Sequence, residues 1–286
     1  MPMNSSTVGK STKRFRQVAE KRWLMSYAAG IGEISANYYD TTKKLIVHPV
    51  FSVCPEWPVV LDAQRVEGSE SMTTEEARSG VHASHDVLIH RPIRPNESLY
   101  TCATITSVEQ RKAGAFQMMR LETRDEESNL IVSTHQGGLS RGVNVVGGDK
   151  TIESAPLLPE IPSDTHQANR LFTIPVSTYA AHVYTECARI YNPIHTDRDI
   201  ARAAGLPDII LHGTATLALA VSCLVNNLFD GNAQRVKRYA CRFSAMVLMP
   251  STITLEVNGL ADSHVWFTAY NKAGEAAIRG GYMEVR

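Results

Sequence analysis

Residues 184–213 read YTECARIYNPIHTDRDIARAAGLPDIILHG, and this stretch decides the fold. Its centre, Tyr191–Asp197, is a polar turn, because an Asn-Pro pair interrupts helical hydrogen bonding. The flanking residues, Ser177–Arg189 and Asp197–Ala204, carry helical patterning. His195 therefore stands at a helix-to-loop break, where an imidazole is presented. Downstream, His212-Gly213 opens a segment, about Gly213 to Asn227, that is apolar on nearly every face. A helix of that kind must be enclosed on nearly all sides. A strongly curved antiparallel sheet wrapped round it does so, and the pattern predicts an α+β fold with this helix in the concave face.

Working outward, strands are expected at Leu171–Val176, Arg235–Leu248, Thr252–Asn258, His264–Asn271 and Ala276–Val285. The first half shows strand-like runs at Ser84–Arg91, Leu99–Glu109, Ala115–Arg124 and Asn129–Gln136, an antiparallel meander. Residues 1–11 read as a frayed tail, and Ser11–Ala29 as one amphipathic helix stopped by Gly30-Ile-Gly32. Gly147-Gly148 and three prolines mark a linker. The expected domains are 12–145, a linker over 146–168, and 169–286. Two halves of similar size, each ending in a meander, suggest a duplicated unit.

Composition removes several function classes. Lys+Arg and Asp+Glu both total 29, and the one basic stripe is Lys10–Arg22, so a nucleic-acid or polyanionic-membrane partner has no electrostatic support. Five dispersed cysteines without a CxxC pair read as reduced thiols in an intracellular protein. The N-terminus lacks the apolar core of a secretory signal. The last residues, Met283–Arg286, do not match a Ser-Lys-Leu peroxisomal tail. The apolar run Thr214–Val225 is too short to span a bilayer. A cytoplasmic protein is expected, with peroxisomal import by another route left open.

The quoted stretch resembles the MaoC-like, or hydratase-2, family of (R)-specific enoyl-CoA hydratases, through Tyr184, Tyr191-Asn-Pro-Ile-His195, Ala203-Ala-Gly205 and Ile210-Leu-His-Gly213. Tyr27-Ala-Ala-Gly-Ile-Gly32, His48-Pro-Val-Phe51 and the strand Val81-His82 through His90-Arg91-Pro92 extend the resemblance from about residue 22 to the end. It implies a double hot-dog fold: two curved antiparallel sheets, the second wrapped round the apolar helix. It also implies that the first half accommodates the acyl chain, having lost a clear central helix, and that the second half carries the active site.

Hydration of an enoyl thioester needs a base for water, an acid for the α-carbon and donors for the enolate-like oxygen. The resemblance carries the acid–base histidine onto His195, the motif's asparagine onto Asn192 and the oxyanion donor onto the Gly213 N–H. A helix N-terminus suits that last role independently. The family's Gly-Asp pair falls on Arg189-Ile190, so the carboxylate that shares a water with the histidine is replaced by an aliphatic side chain. Arg189, Ile190, Tyr184 and Glu186 are expected to line the substrate, Arg189 as a cation for a carboxylate or enolate oxygen and Glu186 as a substitute acid.

Simpler readings stand beside these. Asp197 fits a helix N-cap, and His212 a structural residue at a helix start. Cys187 with His195 lacks a third orienting group for a nucleophile pair. His82, His85 and His90 lack metal-ligand spacing, so no metal is expected, and no cofactor. The sequence therefore points to a lyase, a dehydratase or hydratase acting on an acyl thioester or polyketide-derived small molecule, CoA- or carrier-linked, in specialised metabolism. An isomerase or cyclase, or an inactive binding protein, is the competing class. The assembly is either a homodimer or a pseudo-dimeric monomer.

Overall fold

The computed structural model describes residues 2–69, 80–162 and 170–286. The chain forms two compact units that are not contiguous in sequence. The first takes residues 1–17, 55–90 and 98–157, and the second takes 18–54, 91–97 and 158–286.

In the first unit, alternating burial defines four long strands: β1 (Gly80–Ile89), β2 (Ser98–Arg111), β3 (Gly114–Arg124) and β4 (Leu130–Arg141). They lie antiparallel in the spatial order β2-β3-β4-β1, so β1 returns to pair with β4. Ala103 faces Leu121 and Leu121 faces Thr134 across the ladder. The inward set, Ala103, Ile105, Met119 and Leu121, packs against Val59, Ala63 and Val66. Val59 belongs to a helix, α2 (Val53–Asp62), which forms despite Pro58 within it. This half, expected to have lost a clear central helix, thus keeps a ten-residue helix against its sheet. Nor are the described residues of the expected 1–11 tail frayed: Met3–Asn4 pairs in parallel with Val145–Val146, and Met3 and Val8 enter the core. The expected Ser11–Ala29 helix is instead a strand, Phe15–Val18, followed by helix α1 (Lys21–Gly30).

The second unit is built on the long apolar helix. Five antiparallel strands run in the order β6-β9-β8-β7-β5, with β5 Arg170–Val176, β6 Val236–Phe243, β7 Ser251–Ala261, β8 His264–Tyr270 and β9 Ala276–Val285. Ile253, Leu255 and Val257 on β7 are fully buried while their polar neighbours point outward. Register breaks at Ala240/Arg242, Val257/Gly259 and Phe267/Ala269 add the twist and bend that curve the sheet. Residues Gly213–Leu228 form the helix, α5, whose Leu217, Ala218, Val221 and Leu224 are completely buried. It packs against β5, β6 and β9, in the concave position its composition predicts. Two short helices precede it, α3 (Ala180–Ala188) and α4 (Arg198–Ala203).

Residues 18–54 complete this unit. Helix α1 packs on α3 so closely that a β-carbon on Gly30 would stand 2.6 Å from Cys187 Cβ. His48 donates from Nε2 to Ser222 Oγ on α5 at 3.0 Å, while its Nδ1 accepts from the Val50 N–H. The two motifs around Tyr27 and His48 thus buttress the helices of the second unit.

Candidate active site

Helix α3 ends at Arg189, whose backbone is left-handed (φ 58, ψ 37). Both Arg189 and Ile190 turn their N–H groups back to the Thr185 carbonyl, closing the helix. A glycine ordinarily occupies such a position, which gives the family's Gly-Asp pair a backbone reason for its glycine. Here an arginine accepts the strain and spends its side chain elsewhere. Its guanidinium lies 4.2 Å over the Trp23 ring and 3.8 Å from Glu20. Trp23 in turn donates its indole N–H to the Cys187 carbonyl at 3.1 Å. Arg189 is therefore engaged with α1.

The chain then turns through Pro193–His195. Asn192 caps that turn, its Oδ1 accepting from the Ile194 N–H at 3.4 Å. Asp197 caps α4 by accepting from the Asp199 and Ile200 N–H groups at 2.9 and 3.1 Å, as its sequence position predicts. His195 is 9% exposed. Its Nδ1 meets the Ile210 carbonyl at 2.8 Å. A carbonyl only accepts, so Nδ1 carries the hydrogen and Nε2 presents a lone pair. Burial lowers the His195 pKa to about 4, partly offset by the Ile210 bond, so the ring is neutral at neutral pH and its Nε2 lone pair is open to a proton.

His212 stacks on His195 with ring centroids 3.7 Å apart and planes 25° from parallel. Burial first, and then the adjoining His195 ring, hold its pKa well below the ordinary value, and the Ile190 backbone offsets part of that. Its Nε2 bonds Thr185 Oγ1 at 3.2 Å. Gly213 follows as the first residue of α5, where backbone N–H groups have no intrahelical acceptor. A β-carbon on Gly213 would come within 3.1 Å of the Phe243 ring, so glycine sets the depth at which this helix end sits.

The remaining expected residues fall into two groups. Ile190 is buried, 5% exposed, directly after the helix cap. Tyr184 is fully buried, donates to Thr214 Oγ1 at 3.1 Å and packs between Tyr27 and His212. Glu186 is exposed. It lines an open cleft of about 320 Å³ with His182, Thr185, Tyr191, Asn192, Pro193 and Thr196. Among the described residues no hydrogen bond joins a carboxylate to the His195 ring, and no cluster has the make-up of a metal site. Sequence reasoning missed Thr185 and Ile210. The signal for Thr185 was its place one turn before the helix end. Ile210 acts through its backbone and left no side-chain signal.

Comparison with known proteins follows the same outline. Residues 164–275 match the model of the MaoC like domain, and residues 6–133 match that of the FAS1-like dehydratase domain region. Enoyl-CoA hydratase ChsH3 of Mycobacterium tuberculosis is 27% identical over 177 residues, 62% of this chain and 60% of that one. Peroxisomal multifunctional enzyme type 2 of Drosophila melanogaster is 23% identical over 270 residues, 92% of this chain but 45% of the relative. The alignments thus span less than two thirds of either relative's length. In structure, a MaoC-like dehydratase from Phytophthora capsici superposes with a TM-score of 0.84 over 98% of both chains at 23% identity. Among the described residues no helix is long and apolar enough to cross a membrane. The second half thus carries a MaoC like domain and the first a FAS1-like dehydratase domain region, and the chain is similar along its length to MaoC-like hydratases and dehydratases and has the double hot-dog fold.

Proposed function

We propose that this protein is a lyase that adds water to, or removes it from, an acyl thioester, with His195 as the acid–base group. The observation that carries this reading is the His195–Ile210 hydrogen bond, which leaves Nε2 unprotonated beside the N-terminus of α5. In the dehydration direction Nε2 takes the α-proton of a 3-hydroxyacyl thioester. The Gly213 N–H supports the thioester oxygen as charge gathers on it. CoA or a carrier protein is the expected thiol component, and a polyketide-derived acyl group the expected cargo. The first unit accommodates that chain.

Ile190 gives the site its distinguishing chemistry. Loss of one acid–base partner costs about 10²–10⁴ in rate, so substrates whose α-proton is already acidic are favoured over simple enoyl chains. The test is crotonyl-CoA hydration by the wild type, His195→Ala and Ile190→Asp. We expect slow wild-type turnover, no turnover without the imidazole, and faster turnover with the added carboxylate. Wild-type activity should fall as pH drops through about 4, where Nε2 takes a proton. An unchanged rate in His195→Ala refutes the assignment. The buried Ile190 also favours a second reading, an isomerisation or ring closure on the same scaffold, distinguished by the absence of oxygen exchange with isotopically labelled water.

A further inference from the structure

The His195 site has an unusual neighbour. Nδ1 of His212 is buried and makes no hydrogen bond of ordinary geometry among the described residues. Leaving a buried polar atom unpaired is costly, so its retention calls for a reason. The ring is not loosely held. It stacks on His195, and its other nitrogen is tied to Thr185 Oγ1. It is also the residue immediately before Gly213, so both imidazoles border the same helix end. Thr185, though only 4% exposed, contributes to the wall of the open cleft with Asn192 and Thr196. A line of exchangeable protons therefore runs from that cleft, through the Thr185 hydroxyl and the His212 ring, to the ring's second nitrogen.

We propose that Thr185 and His212 form a proton relay that supplies the second acid–base function which Ile190 removes. The inference rests on the hydratase or dehydratase reading above. In dehydration, His195 Nε2 takes the α-proton, and the Cα–H electron pair becomes the new double bond as the Cβ–O bond breaks. His212 Nδ1–H gives its proton to the departing oxygen, which leaves as water. Nε2 of the same ring takes the Thr185 hydroxyl proton, and Thr185 recovers one from water in the cleft. To reset the site, His195 passes its proton through the product water to His212 Nδ1, the Nε2 proton returns to Thr185, and the Thr185 proton neutralises the hydroxide in the cleft, so both rings regain their starting tautomers and nothing else is consumed. His212 never carries a net charge in this cycle, in keeping with its burial and with its contact with His195. The groups that face it are the His195 ring, the Tyr184 ring, the Thr185 hydroxyl and the Ile190 backbone carbonyl, none of them a carboxylate. Thr185 is a positioning residue in this scheme, acting through His212.

The experiment uses the full chain and crotonyl-CoA. Thr185→Val keeps the shape and removes the hydroxyl. We expect kcat to fall by about 10²-fold, with KM and the melting temperature unchanged, and Thr185→Ser to restore it. In mixtures of light and heavy water the wild type should show a curved dependence of rate on deuterium fraction, the mark of several protons in flight, and Thr185→Val a straight one. A Thr185→Val enzyme with wild-type kcat overturns the relay. So does a straight dependence in the wild type, which decides the matter even where the valine variant does not fold. A wild type and His195→Ala that are equally inactive overturn the lyase reading itself, whereas an active wild type with an inactive His195→Ala leaves that reading standing and isolates the relay.

Discussion

At the residue scale, Arg189 shows how a departure from a family motif is absorbed. A non-glycine residue in the left-handed region costs about 1–2 kcal/mol, and a cation over an indole face returns about 0.5–1 kcal/mol at an exposed site. Arg189→Gly removes both the strain and the contact and should leave stability nearly unchanged. Arg189→Ala keeps the strain and loses the contact. It should be less stable than Arg189→Gly by about 1 kcal/mol, the usual advantage of glycine at such a position. Urea denaturation of the two variants measures the difference, and equal midpoints refute the argument. Much at this scale was legible beforehand. The turn at Asn192, the cap at Asp197 and the buried apolar face of α5 follow from local chemistry. The Arg189–Trp23 contact was not legible, because it joins residues 166 positions apart through a helix pair that only the folded chain brings together. The same holds for Thr185 and His212, which meet only once α3 lies against the start of α5.

At the element scale, α2 places a carboxyl group in the first unit's interior. Glu56 is 2% exposed, accepts a hydrogen bond from Thr134 Oγ1, and has its second oxygen buried without a partner among the described residues. Burial raises its pKa to about 8 against an ordinary 4.5, and the Thr134 bond opposes the rise. Below the ordinary value both folded and unfolded chains hold the proton, and stability is undiminished. Between the two values only the folded chain holds it, so stability is lost as pH rises, by up to about 1.4 kcal/mol per pH unit. Glu56→Gln should flatten that fall and be the more stable protein at pH 8. Thermal melts across this pH range that run parallel for wild type and variant refute the assignment. The helix itself escaped the sequence because Pro55 and Pro58 read as breakers within a short segment. The strands did not escape, since strict alternation of burial is a signal that prolines and neighbouring helices leave untouched.

At the scale of the whole molecule, the two units interleave along the chain. A cut near Leu157/Leu158 follows the Pro-rich stretch that sequence marks as a linker, yet it does not separate complete units. The second unit also needs residues 18–54 and 91–97. Those residues supply the His48–Ser222 bond, the α1–α3 packing and the Arg189–Trp23 contact. A fragment of residues 158–286 should therefore lack a cooperative melt, while the same fragment mixed with residues 1–157 recovers one. A sharp, fragment-only transition in calorimetry refutes this.

The interleaving also sets a timetable for synthesis. The first unit has all its residues once position 157 leaves the ribosome, whereas α1, made long before, belongs to a unit that closes only with β9. At about 5–20 residues per second the apolar side of α1, with Trp23, Leu24 and Tyr27, waits on the order of ten seconds or more for its lasting neighbours. During that interval a nascent chain exposes a segment that the finished protein hides. Chaperone supply, rather than intrinsic stability, is the expected determinant of yield when this protein is made fast.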